Sequence, residues 1–341
     1  MTTLAHTRRS QNGFSLAEMM VAMLIGMIIL AAVSQMFVST NKASNNQNRL
    51  ARVQENGRFA MFYLLRDLRM AGYMGCTRDV ETNLTNNLAS PVSFYSDTTS
   101  LAKPIEGIDD ATSGSAWSPS GATTMPASLW TAGTIAKPDL IAIRGVDTTS
   151  RQPVSALMTS MSGALTVSST SSYANNSVVL VADCLKSDLV QVSVTNTTQL
   201  TPAASLSKQY DNSASVYRYS TRTYYIRLNN NGVPSLYRDE NGGNTVELVE
   251  GIESIKILYG LATPPNVQPS RYLKASAMTA TDWPNVVSVK IGILARTPNI
   301  KDMDIDNNTY NVNGTVIGPF GDRNVRRVFT ATALLKNQVL P

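Results

Sequence analysis

The sequence predicts an α+β protein: one long N-terminal helix, its first half apolar enough to span a membrane, packed on an antiparallel β-sheet head with long loops. Three observations predict it. The run from Met19 to Val33 carries no charge and sits inside a longer apolar stretch, Phe14–Val38. Leu50, Val53, Gly57, Met61, Leu64, Leu68 and Ala71 then recur at three- and four-residue steps, the spacing of one helix face. The C-terminal part alternates apolar and polar residues between turn signals, the spacing of half-buried strands.

The 341 residues are 43% hydrophobic and 16% charged, enough apolar material for a core and too much for a disordered tail. The net charge of +5 is spread along the chain with no Lys/Arg cluster, so no nucleic-acid partner is expected. The one histidine, His6, precedes the apolar run. If that leader is lost, no histidine remains for a triad hydrolase, an HExxH metalloprotease or most zinc enzymes. The sequence also lacks GxSxG, P-loop and GxGxxG motifs, so neither an enzyme nor a cofactor is expected.

Residues 1–13 are polar, with Arg8 and Arg9 and no acid. Phe14–Val38 is about 25 residues, or ~37 Å of helix, against a bilayer core of ~30 Å. The preceding arginines place the N-terminus in the cytoplasm and export the rest. A secretory signal cut near Ala32-Val33-Ser34, a plain single-pass anchor and a third reading compete. The third accounts for Gly13-Phe14 at the cytoplasmic edge and for Glu18 inside the run. A carboxylate at the centre of an inserted helix costs roughly 2.5–3.5 kcal/mol. Either Glu18 lies close enough to the interface to reach water, or it has a cationic partner. A cut after Gly13 would create one at Phe14, a turn away.

GFSLAEMMVAMLIG resembles the class III signal of type IV prepilins. The resemblance implies that a prepilin peptidase cuts after Gly13 and methylates the amine of Phe14. It also implies that Glu18 pairs with the N-terminal amine of a neighbouring subunit during assembly. The cut would lower the net charge by the two arginines of the leader. Residues 14–38 then form the membrane or fibre-core helix, 39–75 its amphipathic continuation and 76–341 a periplasmic β-rich head. Arg52, Arg58, Arg66 and Asp67 fall off the apolar stripe of the continuation. The Asn and Ser residues near 44–48 predict a bend or frayed turn. The helix should stop at Gly72 to Gly75.

Residues 77–135 and 147–177 are rich in Ser and Thr and read as loops and edge elements. Strands are expected at Asp139–Arg144, Val178–Asp183 and Leu189–Val194. A hairpin joins Val216–Leu228 to Val233–Arg238 through Asn229-Asn230-Asn231-Gly232, and Asn241–Asn244 makes a second turn. Gly251–Gly260, Asn285–Arg296 and Val325–Leu335 complete a sheet with one buried face.

The blocks LRMAGYMGC (68–76), NGVPSLYR (231–238), LVEGIESIKILYG (248–260), WPNVVSVKIGILART (283–297) and RRVFTATALLKN (326–337) resemble minor pilins of the PilW type, which are similar to J-type minor pseudopilins of type II secretion. The resemblance implies a pilin-like fold and a place in a minor-pilin tip complex that primes pilus assembly and displays a PilY-type tip adhesin. Its implied partners are prepilin peptidase, the other minor pilins (PilV-, PilX-, FimU- and PilE-like), the major pilin and, before assembly, the inner membrane. A pseudopilin of a secretion system and a membrane-tethered periplasmic enzyme are the alternatives. A DNA-uptake role has no special support in the charge.

An exported head meets an oxidising compartment, so Cys76 and Cys184 are expected to pair, the alternative being two free buried thiols. Asp302, Asp304 and Asp306 occupy ligand positions one, three and five of an EF-hand, but Asn307 stands where Gly is needed and Asn313 where Glu is needed. They are weak calcium candidates; a solvated acidic turn is the plain reading, and no metal is expected. Asp109-Asp110, Asp239-Glu240, Glu247, Glu250 and Glu253 read as surface charge. Trp283 reads as core; Trp117 and Trp130, in polar loops, read as either core residues or interface anchors.

Overall fold

The computed structural model describes residues 13–77, 80–88, 104–111, 138–241, 244–263, 266–279, 281–297 and 305–337. The chain divides into two compact units, Met1–Ala51 and Arg52–Pro341. One helix, α1 (Leu16–Met70), begins in the first and ends in the second.

In the first unit, residues 13–45 are all exposed. By length and composition this is the one helix among the described residues able to cross a membrane. Two of its hydroxyls bond back to the helix: Ser34 Oγ donates to Leu30 O and Thr40 Oγ1 to Met36 O, both at 2.8 Å. Such bonds suit a lipid environment, where no water would satisfy them. The expected bend at 44–48 is absent, and α1 runs through these residues unbroken. Asn and Ser each cost well under 1 kcal/mol relative to Ala in a helix, too little to interrupt one already propagated on both sides.

In the second unit α1 buries Val53, Gly57, Ala60, Met61, Leu64, Asp67 and Leu68. The expected stripe holds except at its start, where Leu50 is exposed. Asp67, off the apolar stripe by its spacing, is nonetheless buried. Its carboxylate accepts the Tyr224 hydroxyl at 2.6 Å and has the Arg222 guanidinium at 3.5 Å. The helix ends where expected. Gly72 adopts φ 71°, a conformation only glycine takes at little cost, and its N–H turns to Arg144 O at 2.9 Å.

The stripe packs on a four-stranded antiparallel sheet. Its order is Pro269–Leu273, Ile252–Ala262, Val286–Arg296 and Arg326–Leu334. Ile255, Ile257 and Tyr259 pair with Ile293, Ile291 and Val289, and all six enter the core shared with α1. Helix and sheet meet closely at Gly57, where a Cβ would lie 2.3 Å from the Phe329 ring. Trp283 is fully buried with its ring 4.8 Å from that of Tyr259, as the core reading requires.

The expectation of a single buried face fails for the two central strands of this sheet. Lys256, Gly292 and Leu294 on the other face are buried as well. A two-stranded hairpin, Tyr310–Val312 and Thr315–Ile317, lies there. Gly292 leaves room for Val312, and Asn313 Nδ2 donates to the carbonyls of Lys256 and Lys290.

A second sheet, ten-stranded among the described residues, is mostly antiparallel. Its spine is Ser215–Leu228, flanked along one side by Leu140–Pro153 and on the other by Ser177–Ala182 and Pro234–Glu240. Leu84–Asn86 joins Ser187–Asn196 in parallel. The strand expected at 139–144 extends to Pro153 through a bulge between Asp147 and Gln152, so part of 147–177 is strand and not loop. Strand length here follows from a long partner, not from local apolar patterning. Residues 154–216 close a separate core around Leu165, Val190, Leu200 and Tyr210.

Candidate functional site

At the helix start Ser15 precedes the first helical residue, Leu16. Glu18 N–H donates to Ser15 Oγ at 3.2 Å, and Ser15 N–H donates to a Glu18 carboxylate oxygen at 2.9 Å. Ser-x-x-Glu is thus a reciprocal capping box, which satisfies two otherwise orphaned donors. Sequence reasoning identified Glu18 but missed Ser15, although the spacing alone signals the box. Gly13 and Phe14 lie just outside the helix, and Phe14 is 87% exposed. The Phe14 nitrogen is one residue away from the N–H that Glu18 already holds. An amine created there would stand next to the carboxylate.

In the head, Cys76 and Cys184 form a disulfide, with Cα atoms 4.6 Å apart. It ties the chain just past α1 to the turn after Ser177–Ala182. Beside it Asp183 takes an ion pair from Lys208.

Of the calcium candidates, Asp302 and Asp304 lie outside the described residues, as do Trp117 and Trp130. Asp306 faces a cation already. Its carboxylate accepts Arg326 Nη1 and the Tyr310 hydroxyl, each at 2.9 Å. No group of three or more metal-ligating side chains occurs among the described residues. Arg326 also bonds Glu253 and Asp322 at 2.6 Å each and stacks 3.6 Å from the centre of the Phe320 ring. The Arg326 bonds hold the Asp322 carboxyl down at about 2. Burial works against the Asp306 carboxylate, but Arg326, Asn308 and Tyr310 outweigh it and keep its pKa low.

Of the acids read as surface charge, Asp239 is buried, Glu253 is half-buried in the Arg326 cluster, and Asp110, though partly exposed, pairs with Lys256 at 2.8 Å. Lys256, itself buried, also bonds Asp139 at 2.9 Å. Burial raises the Asp139 pKa, which Lys256 only partly offsets. For Lys256, burial is outweighed by the two carboxylates, so its pKa rises. A charge at one step of an apolar alternation, as in Ile255-Lys256-Ile257, is the signal that could have found this pair.

Residues 8–34 match the prokaryotic N-terminal methylation motif, across Gly13, Phe14, Ser15 and Glu18. Residues 223–337 match the family model for type IV pilus-assembly protein W. This stretch, about a third of the chain, is what resembles the PilW family. The PilW match takes in the second half of the ten-stranded sheet's spine and the whole four-stranded sheet, with the Arg326 cluster. It leaves out 154–216, the part of the head with its own core. Four of the five PilW-like sequence blocks fall inside it; LRMAGYMGC does not. No curated protein matches the chain. A PilW-like segment and a prepilin methylation motif in one chain support a type IV pilus minor pilin role, and the apolar helix is long enough to serve as a membrane anchor.

Proposed function

We propose that this minor pilin is cut after Gly13, N-methylated at Phe14, and assembled through Glu18 with its head on the periplasmic side of the inner membrane. Its place is a minor-pilin complex at the pilus tip, where it primes assembly and presents a tip adhesin. The observation that carries the reading is the Glu18 carboxylate at the first turn of an exposed, membrane-length helix. In cis it caps its own helix; in the fibre it neutralises the Phe14 amine of the next subunit. The same carboxylate therefore has a hydrogen-bond donor in its own chain and a cationic partner in the fibre, which lowers the cost of keeping it in lipid. The protein needs no catalytic step for this role.

Mass spectrometry of the mature protein tests the first part. The expected N-terminus is a methylated Phe14; retention of residues 1–13, or a start beyond Ala32, would overturn it. For assembly, Glu18→Ala is expected to lower the subunit in sheared pili at least several-fold with the head folded and its disulfide intact. Wild-type amounts in the pili would contradict the pairing.

A further inference from the structure

Both ends of the Cys76–Cys184 bridge are open to solvent. Each cysteine is exposed, although Met74, Ala182 and Asp183 beside them are buried. Cys184 has φ 70°, the left-handed region that residues with a Cβ rarely adopt. The turn that keeps it there does not depend on the sulfur link. Asp183 Oδ1 accepts the N–H groups of Leu185 and Lys186 at 3.1 and 2.9 Å, and the same carboxylate pairs with Lys208. Nor does the contact between the two bridged segments depend on it. A Cβ on Gly75 would lie 3.5 Å from Ala182 Cβ. A few residues on, Leu84–Asn86 pairs with Ser187, Asp188 and Leu189. Asn87 N–H donates to Leu189 O at 2.9 Å, and Asn87 Nδ2 to Asp188 Oδ1 at 2.6 Å. Next to the Cys184 sulfur, Leu185 is 73% exposed, and Lys186 after it is exposed too.

We propose that this bridge is a thiol–disulfide exchange site for a dithiol protein, opened and closed in the folded head; the proposal does not rest on the assembly reading above. Exposed disulfides are the labile ones, whereas a buried staple is shielded from attack. The recognition features flank Cys184, so its sulfur is the one attacked. Leu185 offers an apolar contact to a protein surface around the incoming thiolate, and Lys186 an attractive charge. The partner's thiolate bonds Cys184 Sγ, the bond to Cys76 breaks, and Cys76 leaves as a thiolate. The partner's second thiolate then attacks its own sulfur in the mixed disulfide and expels Cys184. Two electrons and two protons have passed from the dithiol to the bridge, and the partner leaves as a disulfide. The reverse sequence closes the bridge. Because the turn and the Leu84–Asn86 pairing hold both segments in place, the two sulfurs stay close enough to rejoin.

The test mixes the purified full-length protein in detergent with a thioredoxin whose resolving cysteine is replaced by serine, or with reduced glutathione. Without denaturant, the expected product is a thioredoxin adduct on Cys184, with Cys76 open to alkylation and amide protection kept along Ser187–Asn196. Leu185→Ser removes an exposed side chain and leaves the fold intact. It should slow thioredoxin trapping by about fivefold or more while the rate with glutathione is unchanged, which separates a protein dithiol from a small thiol. A bridge that neither reagent opens until guanidinium is added overturns the proposal. So does an adduct on Cys76, a Leu185→Ser variant that affects both reagents alike, or loss of the amide protection on opening. None of these readouts uses pili, so failure of the assembly reading would leave them unchanged.

Discussion

Gly57 shows how one missing side chain sets the distance between helix and sheet. A Cβ there would lie 2.3 Å from the Phe329 ring, well inside contact distance, and Ala60 and Leu64 allow the helix no lateral escape. Gly57→Ala should therefore destabilise the head by about 1–3 kcal/mol despite the better helix propensity of alanine. Chemical denaturation of the detergent-solubilised chain measures it. Phe329→Leu should recover part of the loss in the double variant; strictly additive effects would refute the steric account. Asp322 gives a second test at this scale. Its folded pKa of about 2 is depressed, so its stabilisation is complete above the ordinary carboxylate range. That stabilisation is lost as pH falls from about 4 towards 2, and amounts to on the order of 2 kcal/mol. Asp322→Asn should flatten the acid limb of a stability–pH curve by about that amount, and an unchanged limb would remove Asp322 from it.

At the scale of elements, strands were legible where period two coincided with burial. The alternation of Ile255, Ile257 and Tyr259 with polar or small neighbours placed its strand and its core face directly. The continuation to Pro153 was not legible, because Thr148 to Gln152 has no apolar alternation, and only beyond the bulge do Gln152 and Pro153 resume pairing, with Val216 and Ser215. Nor did sequence spacing give the covering of both faces of the central strands, which depends on a distant hairpin. The apolar helix was plain in composition, whereas its continuity through 44–48 depended on the helix on either side. The Cys76–Cys184 link was legible from compartment and count alone. It closes a loop of 108 residues, for which chain entropy assigns up to about 5 kcal/mol, with 2–4 typical. Cys184→Ser, or reduction of the wild type, should lower the unfolding free energy by roughly that typical amount. An unshifted midpoint would mean that the link adds nothing to the stability of the head.

At the scale of the whole head, the two large sheets are joined by a polar seam. Asp139 stands at the start of Leu140–Pro153 in one sheet, and its N–H donates to Ile255 O in the other. Its carboxylate accepts Ile257 N–H at 2.8 Å, so one residue supplies both bonds that a neighbouring strand would make at that edge. Lys256, between those two residues, neutralises it. Replacing Lys256 by Met leaves a buried, unpaired carboxylate, a change worth about 3–5 kcal/mol, while the Lys256→Met/Asp139→Asn pair should regain most of the loss. The sign with pH distinguishes this from simple repacking. In Lys256→Met the folded pKa of Asp139 rises above its already elevated position, so the folded form binds that proton more tightly than the unfolded chain does. Stability of this variant should therefore increase as pH falls from 7 towards 5, and amide exchange at Ile257 should slow in step. A loss with no such pH dependence, or one that Asp139→Asn leaves untouched, would place the seam's strength in apolar packing around Tyr259 and not in the Lys256–Asp139 pair.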